Sequence, residues 1–167
     1  MSTGHLSLDA QVLYAQMLQD LRERVPATAY LVGITTGGAW LAQQLQADWK
    51  RESPMGVVSS SMHRDDFSKR GLSESEATRL PFAVDGAVIW LIDDVLFTGR
   101  TIRAVVNELF DYGRPAEVHL AVLVDRGGRE LPVHADYAAA RLTLPSSQSL
   151  RLMRKDAGQF GFSVKDR

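Results

Sequence analysis

The sequence predicts an α/β domain with a central, mostly parallel sheet flanked by helices. Short continuous apolar runs at 29–34, 87–92 and 118–124 have the composition of strands buried on both faces. Apolar residues recur at helical spacing in 8–25 and 102–110. The order strand, helix, strand over 87–124 is typical of a right-handed βαβ unit. At 167 residues, 45% of them hydrophobic, the chain has the length of one domain, 1–167, with a core of its own.

The first part of the chain alternates helices and strands. Ser7 is the expected N-cap of the first helix, and Pro26 ends it. The expected elements are a helix over 8–25, a strand over 29–34, a loop over 35–38, a helix over 39–49 and a strand that begins at 56.

The second part of the chain begins with a polar stretch and then repeats the alternation. Residues 63–81 are charged and rich in serine, without an apolar pattern, which is typical of a functional loop. Residues 93–101 form the expected turn after the strand at 87–92. The expected elements that follow are a helix from 102 ended by Gly113 and Pro115, a strand over 118–124, loops with short strands over 125–154 and a polar tail over 155–167.

Composition excludes several functional classes. Lys and Arg number 19 against 20 Asp and Glu, so the net charge is -1 and the whole surface is not built to coat nucleic acid. The chain has no cysteine, which excludes disulfides, thiolate metal sites and a thiol nucleophile. The longest apolar run is too short to span a membrane, and the first residues do not read as a secretion signal, so a cytoplasmic location is expected.

A candidate site lies between the strand at 87–92 and the helix after it. Ligands of open α/β sheets bind beyond the carboxyl ends of the strands. The sequence TGRT at 98–101 opens a helix, and the free N–H groups of a helix start suit a phosphate. Asp93 and Asp94 would repel a phosphate but suit sugar hydroxyls. The unit predicts a ribose-phosphate cradle; the alternative is that Asp94 or Thr98 only caps the helix.

These residues also carry a resemblance to a known family. The sequence IDDVLFTGRT at 92–101 resembles the phosphoribosyl pyrophosphate (PRPP) motif of type I phosphoribosyltransferases. The match continues, and the later segments resemble the PyrR family, bacterial pyrimidine operon regulators that are also uracil phosphoribosyltransferases. Those segments are RDD at 64–66, FDYGRP at 110–115, LAVLVDRG at 120–127, RELP at 129–132 and ADY at 135–137, so that the resemblance covers about 29–137.

The resemblance implies a fold and a reaction. The fold is that of type I phosphoribosyltransferases, with a flexible lid loop at about 63–81, a small hood formed by about 125–154 with the N-terminal part, and 155–167 as a tail. The reaction is uracil plus PRPP giving UMP and pyrophosphate, with Mg²⁺. A second role of the family is to bind the leader RNA of the pyrimidine operon under nucleotide control.

The resemblance also implies roles for individual residues. Asp93 and Asp94 orient the ribose hydroxyls, Arg64 on the lid closes over the pyrophosphate, and Arg129 belongs to the same catalytic set. Mg²⁺ is expected mainly through PRPP, with Asp125 as a candidate ligand. The remaining site residues are Phe97, Thr98, Gly99, Arg100 and Thr101 at the 5′-phosphate, Thr35, Thr36, Gly37 and Gly38 at the pyrophosphate, and Asp125 and Arg126 in the hood near the base.

Three features distinguish this chain from related enzymes. Purine enzymes often have a carboxylate at the position of Phe97, and a phenyl group cannot exchange a proton, which favours a pyrimidine. Many relatives have Lys and Arg in the pyrophosphate loop, where this chain has Thr35 and Gly37. Many also have Gly-Lys-Asn after the tyrosine of the ADY segment, where this chain has alanines at 138–140.

Two other functions remain open. One is a UMP-sensing RNA-binding attenuator with secondary or lost catalysis, and the other, disfavoured by Phe97, is a purine phosphoribosyltransferase. From 141 to 167 six Arg or Lys residues stand against two Asp, which is a weak indication of an RNA surface. We expect uracil transfer to be retained, RNA binding to be weak or absent, and the chain to form a homo-oligomer.

Overall fold

The computed structural model describes residues 7–60 and 77–167. The lid expected at 63–81 lies mostly outside the described residues, and so does Arg64. The described elements are α1 (Ala10–Arg24), β1 (Tyr30–Ile34), α2 (Gly37–Trp49), β2 (Gly56–Val58), β3 (Val88–Leu96), α3 (Arg100–Tyr112), β4 (Glu117–Asp125), β5 (Tyr137–Arg141), β6 (Gln148–Arg154) and β7 (Phe160–Asp166).

The main sheet confirms the predicted fold class. Its five strands run in the order β2-β1-β3-β4-β5, and every neighbouring pair is parallel. The strand β3 is the central strand of the sheet, β4 lies beside it, and most residues of both strands are buried. Burial on both faces explains why these strands are continuous apolar runs in the sequence.

Helices cover both faces of this sheet. On one face α1 and α2 pack through Met17, Leu21, Leu41 and Leu45, all of which are buried. On the other face α3 packs through residues at helical spacing, Ile102, Val105 and Leu109. The protein is therefore a three-layer α/β domain, in which the apolar stripe of each helix faces the sheet.

The first two helices begin at positions that differ from the prediction. Asp9, not Ser7, caps α1: its carboxylate accepts hydrogen bonds from the N–H groups of Gln11 and Val12. A carboxylate at this position also interacts favourably with the helix dipole. The helix α2 begins at Gly37 rather than at 39, so the second half of the expected loop is already helical.

The strand β3 is longer than the apolar run that predicted it. Asp93 and Asp94 lie within the strand and not in the turn where the sequence placed them. The ladder with β4 continues past the apolar residues, with Asp93 opposite Val122 and Leu96 opposite Asp125. Backbone pairing with β4 therefore continues the strand β3 through Asp93 and Asp94, although both residues are polar.

The prediction of a polar tail over 155–167 is wrong. Residues 160–166 form β7, which pairs with β6 as an antiparallel hairpin. Phe160 is buried against α1, where its ring centroid lies 5.5 Å from that of Tyr14. The Phe160 N–H also donates to the Gln11 side chain over 2.7 Å. Aromatic packing and a backbone hydrogen bond thus anchor this hairpin on the first helix.

Among the described residues, no helix is both long enough and apolar enough to cross a membrane.

Candidate functional site

A cleft of about 850 Å³ opens where β1 and β3 end. Neighbouring parallel strands end at the same edge of the sheet, and this edge is where α/β proteins bind ligands. Eight of the predicted site residues line the cleft: Thr35, Thr36, Gly37, Asp93, Asp94, Phe97, Thr101 and Arg126.

The two aspartates lie on β3 at the edge of the cleft. Asp93 is buried, and its Oδ1 accepts a hydrogen bond from the Asp94 N–H over 2.9 Å. The Oδ1 of Asp94 accepts from the Val95 N–H over 2.8 Å. Backbone hydrogen bonds therefore hold both carboxylates in place at the cleft. Neither carboxylate caps α3, which excludes the capping alternative for Asp94.

Two glycines allow the start of α2 to approach β3 closely. A Cβ on Gly37 would collide with the Asp94 carboxylate, and a Cβ on Gly38 would collide with the Ile92 carbonyl oxygen. Gly38 itself does not line the cleft but lies against the β3 backbone. The glycines thus place residues 35–37 directly beside the aspartate pair.

The hydroxyl of Thr35 is engaged within the protein. Its Oγ1 accepts a hydrogen bond from the Ser60 N–H over 3.1 Å, and its carbonyl accepts from the Ser60 hydroxyl over 2.9 Å. The peptide between Thr35 and Thr36 is cis. Ser60 lines the cleft as well, so the ends of β1 and β2 are joined at this point.

The start of α3 has no side-chain cap at its N-cap position. Gly99 occupies the N-cap with φ +90°, and no side chain caps the helix from that position. The hydroxyl of Thr98 accepts from the Arg100 N–H over 3.2 Å, so the capping alternative is partly correct for Thr98. Thr101 lines the cleft, whereas the exposed Arg100 pairs with Glu130 over 2.9 Å. The backbone and Thr101 are therefore the groups that this loop offers an anion.

Asp125 is neutralised by two arginines. Its Oδ2 lies 2.6 Å from Arg129 and 3.0 Å from Arg141, and its Oδ1 accepts from the Gly127 N–H over 3.0 Å. Burial raises the pKa of Asp125, but the hydrogen bonds from Arg129 and Gly127 and the two positive charges outweigh it, so that the pKa is lowered. With its oxygens so engaged, Asp125 is a poorer candidate for a metal ligand than Asp93 or Asp94.

Arg129 is a clamp within the protein. Besides Asp125, it donates to the carbonyl oxygen of Phe97 over 2.6 Å and to that of Val133 over 2.8 Å. These contacts connect the segment after β4 to the loop that starts α3. Neither Arg129 nor Asp125 lines the cleft.

Arg126 is almost completely buried, with 2% of its surface exposed. It donates to the carbonyl oxygens of Leu144, Pro145 and Gln148, at distances between 2.7 and 3.3 Å. Its guanidinium carbon lies 3.9 Å from the centroid of the Phe97 ring. Burial, and then the charge of Arg167, lower the pKa of Arg126. Arg126 thus holds the segment before β6 over Phe97.

The sequence did not predict the contribution of the β6–β7 hairpin to the cleft. Two features of the sequence could have predicted this hairpin. Apolar residues alternate along 150–152 and 160–164, and Gly158, whose φ is +79°, lies in the turn between them. Hairpin residues that line the cleft are Ser149, Leu150, Arg151, Leu152, Lys165, Asp166 and, just after β7, Arg167; Trp40 on α2 was also missed.

A resident metal centre is not formed by the described side chains. Residues 7–60 and 77–167 contain no cluster of three or more His, Asp or Glu side chains able to hold a metal ion. Mg²⁺ usually binds through one or two carboxylates and substrate phosphates. The carboxylates of Asp93 and Asp94 at the cleft fit that mode.

Comparison with known proteins identifies the family. The model of the phosphoribosyl transferase domain family matches residues 11–143. The chain is 47% identical over 156 residues to the bifunctional protein PyrR of Ralstonia nicotianae, which covers 90% of this chain and 89% of that protein. It is 41% identical over 171 residues to the bifunctional protein PyrR of Nitrosococcus oceani, covering 96% of this chain and 95% of that one.

Solved structures agree on the fold at low sequence identity. A hypoxanthine-guanine phosphoribosyltransferase from Bacillus anthracis superposes with a TM-score of 0.59 at 15% identity, covering 80% of this chain and 77% of that one. A purine phosphoribosyltransferase from Pyrococcus horikoshii gives 0.55 at 20% identity, covering 79% and 81%. These structures share the fold of this chain. The domain match and the near-complete coverage of its relatives show that the chain belongs to the phosphoribosyltransferases and, among them, to the PyrR family.

Proposed function

We propose that this phosphoribosyltransferase transfers the phosphoribosyl group of PRPP to uracil, releasing pyrophosphate and forming UMP. The observation that carries the proposal is the meeting, in one cleft, of the aspartate pair, the start of α3 and the segment 35–37. Membership of the PyrR family supports uracil as the acceptor.

The ribose is the part of the substrate that must be held most firmly. During transfer the bond from C1 of the ribose to pyrophosphate breaks, a bond from C1 to N1 of uracil forms, and the N1 proton of uracil passes to the released pyrophosphate or to water. Asp93 and Asp94 accept hydrogen bonds from the ribose hydroxyls and keep C1 between the pyrophosphate and the uracil. The N–H groups at the start of α3 and the Thr101 hydroxyl bind the 5′-phosphate.

The leaving group collects negative charge as the bond breaks. Residues 35–37 line the cleft beside the aspartates, and their backbone N–H groups are the donors that we assign to the pyrophosphate. Asp93 or Asp94 would hold Mg²⁺ together with substrate oxygens, and the ion would supply further positive charge for the pyrophosphate. Asp125 and Arg129 act through position: they join the hood to the Phe97 loop and so fix its place.

Phe97 supports a pyrimidine acceptor. Its phenyl ring lines the cleft and offers no group that exchanges a proton with a base. Arg126 stacks on this ring and is tied to the segment 144–148, which keeps the ring in place. We place the base beside Phe97 and the apolar hairpin residues Leu150 and Leu152.

An assay with radiolabelled bases tests the proposed reaction. The full chain is incubated with PRPP and Mg²⁺ and with uracil, hypoxanthine, guanine or orotate in separate reactions. We expect label to enter the nucleotide from uracil and to be lost when Mg²⁺ is removed. Transfer to hypoxanthine or guanine at a higher kcat/KM than to uracil would contradict the choice of acceptor.

Membership of the family also bears on location, oligomeric state and RNA binding. We propose a cytoplasmic location and a homo-oligomeric state, and binding of a pyrimidine leader RNA is a second role to be tested. Size-exclusion chromatography with light scattering measures the oligomeric state directly.

A further inference from the structure

One wall of the cleft is rich in positive charge. Arg151 on β6, Lys165 on β7 and Arg167 just beyond β7 all line the same cleft as the aspartate pair. Asp166 is the only acidic neighbour among these hairpin residues that line the cleft. The hairpin thus brings a net positive charge to the cleft.

The loops around the described cleft offer no free cation. Residues 35–38 are Thr-Thr-Gly-Gly. Arg100 points to Glu130, and Arg126 is bound to three carbonyl oxygens. Arg129 is bound to Asp125 and to two carbonyl oxygens. Among the described residues, side-chain cations for a substrate with two phosphorylated ends therefore come from outside these loops. Arg64, which the resemblance places over the pyrophosphate, lies outside the described residues.

The hairpin cations are available to a ligand. Within residues 7–60 and 77–167 the Lys165 ammonium makes no hydrogen bond or ion pair. The contacts of Lys165 are those of its backbone, which pairs with Ser149 in the ladder and accepts from the Ser149 hydroxyl over 3.2 Å. The Arg167 guanidinium lies 4.8 Å from the centroid of Phe97, and its backbone N–H donates to the Ser147 carbonyl over 2.7 Å. The backbone bond fixes Arg167 at the cleft while its side chain stays exposed.

Arg126 and Arg167 place two positive charges against one aromatic ring. Like charges held this close repel each other, and the charge of Arg167 contributes to the lowered pKa of Arg126. An anion bound between the hairpin and the loops would relieve that repulsion. The arrangement is therefore suited to a negatively charged ligand.

We propose that Lys165 and Arg167, assisted by Arg151, bind phosphoryl oxygens of the substrate and replace the basic side chains that the segment 35–38 lacks. This inference rests on the proposed function, because it takes PRPP as the ligand. Charge-assisted hydrogen bonds to phosphate are roughly twice as strong as neutral ones. The hairpin thereby supplies binding energy that the pyrophosphate loop alone does not.

Direct binding measurements on the full chain test this proposal. The variants are Lys165→Ala, Arg167→Ala and the double variant, each titrated calorimetrically with PRPP, with pyrophosphate and with UMP in the presence of Mg²⁺. The matched control is Arg154→Ala with Lys155→Ala, which removes two positive charges from exposed hairpin positions that do not line the cleft. We expect a loss of at least about tenfold in PRPP affinity for each cleft variant and less than about twofold for the control.

The three ligands separate the two phosphorylated ends. Weaker pyrophosphate binding with unchanged UMP binding assigns the cations to the leaving group, and the reverse assigns them to the 5′-phosphate. Affinities for all three ligands within twofold of the wild type would overturn the proposal, and so would an equal loss in the control. Arg167→Lys, which keeps the charge, recovers most of the affinity, and this recovery distinguishes charge loss from misfolding.

The binding titrations and the uracil assay can fail independently of each other. If the chain binds PRPP through Lys165 and Arg167 but does not transfer it to uracil, the acceptor is wrong and this inference stands. If uracil is converted normally by both variants at limiting PRPP, the proposed function stands and this inference fails.

Discussion

Asp94 lies at the mouth of the cleft, with one carboxylate oxygen bound to the Val95 N–H and the other beside Gly37. An Asp94→Asn substitution keeps the acceptor for Val95 but removes the charge that holds the ribose. One charged hydrogen bond contributes about 1.5–3 kcal/mol, so we expect kcat/KM to fall roughly 10- to 150-fold. Asp93→Asn, which removes a buried charge on the same strand, acts in the same direction.

Steady-state kinetics with varied PRPP measure this effect, and thermal melting shows whether the fold is kept. Asp111→Asn on the exposed side of α3 is the matched control and leaves both quantities unchanged. Wild-type kcat/KM in both the Asp93 and the Asp94 variant would exclude the ribose-binding role.

Asp125 makes stability depend on pH. Its pKa is lowered in the folded protein, so its contribution is fully present above the unfolded value of about 3.9 and is lost as the pH falls through the lower folded value. Asp125→Asn leaves Arg129 and Arg141 without their carboxylate, which we expect to cost about 1–3 kcal/mol at pH 7.

Urea unfolding from pH 7 to pH 3 checks the sign. The difference in the free energy of unfolding between wild type and Asp125→Asn should shrink below about pH 4. Asp156→Asn in the exposed hairpin turn serves as the control. A difference that stays constant down to pH 3 would show that the charge of Asp125 is not what the arginines require.

Individual residues were predictable to the extent that their chemistry shows in the local sequence. The aspartate pair and Thr101 stand beside a strand and at a helix start, and the structure places them in the cleft. The partnership of Asp125 with Arg129 and Arg141 was not predictable in this way. It depends on how the segment after β4 folds back and on the pairing of β4 with β5.

Among the elements, β7 is the one that the sequence misassigned. Charged residues at 155, 156 and 165–167 flank its short apolar alternation, so that 155–167 reads as a solvated tail, whereas β6 lies in the segment expected to hold short strands. The alternation is nevertheless real: Leu152 pairs with Phe162, and Leu150 with Val164, across the ladder. Phe160 and Leu152 are buried in the core that α1 and α2 form against the sheet, and this burial stabilises the hairpin.

A Phe160→Ala substitution tests whether this packing positions the cleft wall. Phe160 is 5% exposed, and truncation of a buried phenylalanine costs about 3–5 kcal/mol. We expect a loss of about 3 kcal/mol in urea unfolding, together with a raised KM for PRPP, because Lys165 lies on the strand that Phe160 begins and Arg167 follows directly after it. Met153→Ala, at a position 48% exposed on the same hairpin, changes stability by about 0.5 kcal/mol or less. An unchanged KM in a folded Phe160→Ala variant would show that the hairpin does not shape the PRPP site.

At the scale of the whole molecule, the site exists because β1 and β3 are neighbours. Both candidate loops were predicted to follow strands, but the sequence did not specify that these two strands pair, with Gly33 opposite Ile92. Strand order depends on which helix covers which face. Gly38 against the Ile92 carbonyl oxygen then brings the loops together. The fold class was predictable from the apolar runs. That the loops after β1 and β3 lie side by side was not, because it depends on the pairing of these two strands in the sheet.

The distribution of positive charge over the whole molecule bears on RNA binding. Phosphate contacts supply most of the affinity of a protein for nucleic acid, and they require several cations on one accessible face. The six Arg and Lys residues at 141–167 do not form such a face: Arg141 pairs with Asp125, and Arg151, Lys165 and Arg167 line the cleft. Of these six, Arg154 and Lys155 remain on exposed positions away from the cleft.

We therefore expect weak binding to the leader transcript of the pyrimidine operon of the same organism, without stimulation by UMP. A gel-shift titration at 50, 100 and 200 mM salt (about the range over which phosphate contacts lose most of their affinity) measures it, and the Arg154→Ala, Lys155→Ala variant reports the share of the two exposed cations. If the phosphoryl oxygens of the substrate occupy Lys165 and Arg167, UMP or PRPP competes with any RNA that reaches them. Tight binding that UMP strengthens and salt weakens steeply would contradict this expectation and require a basic surface outside the cleft wall.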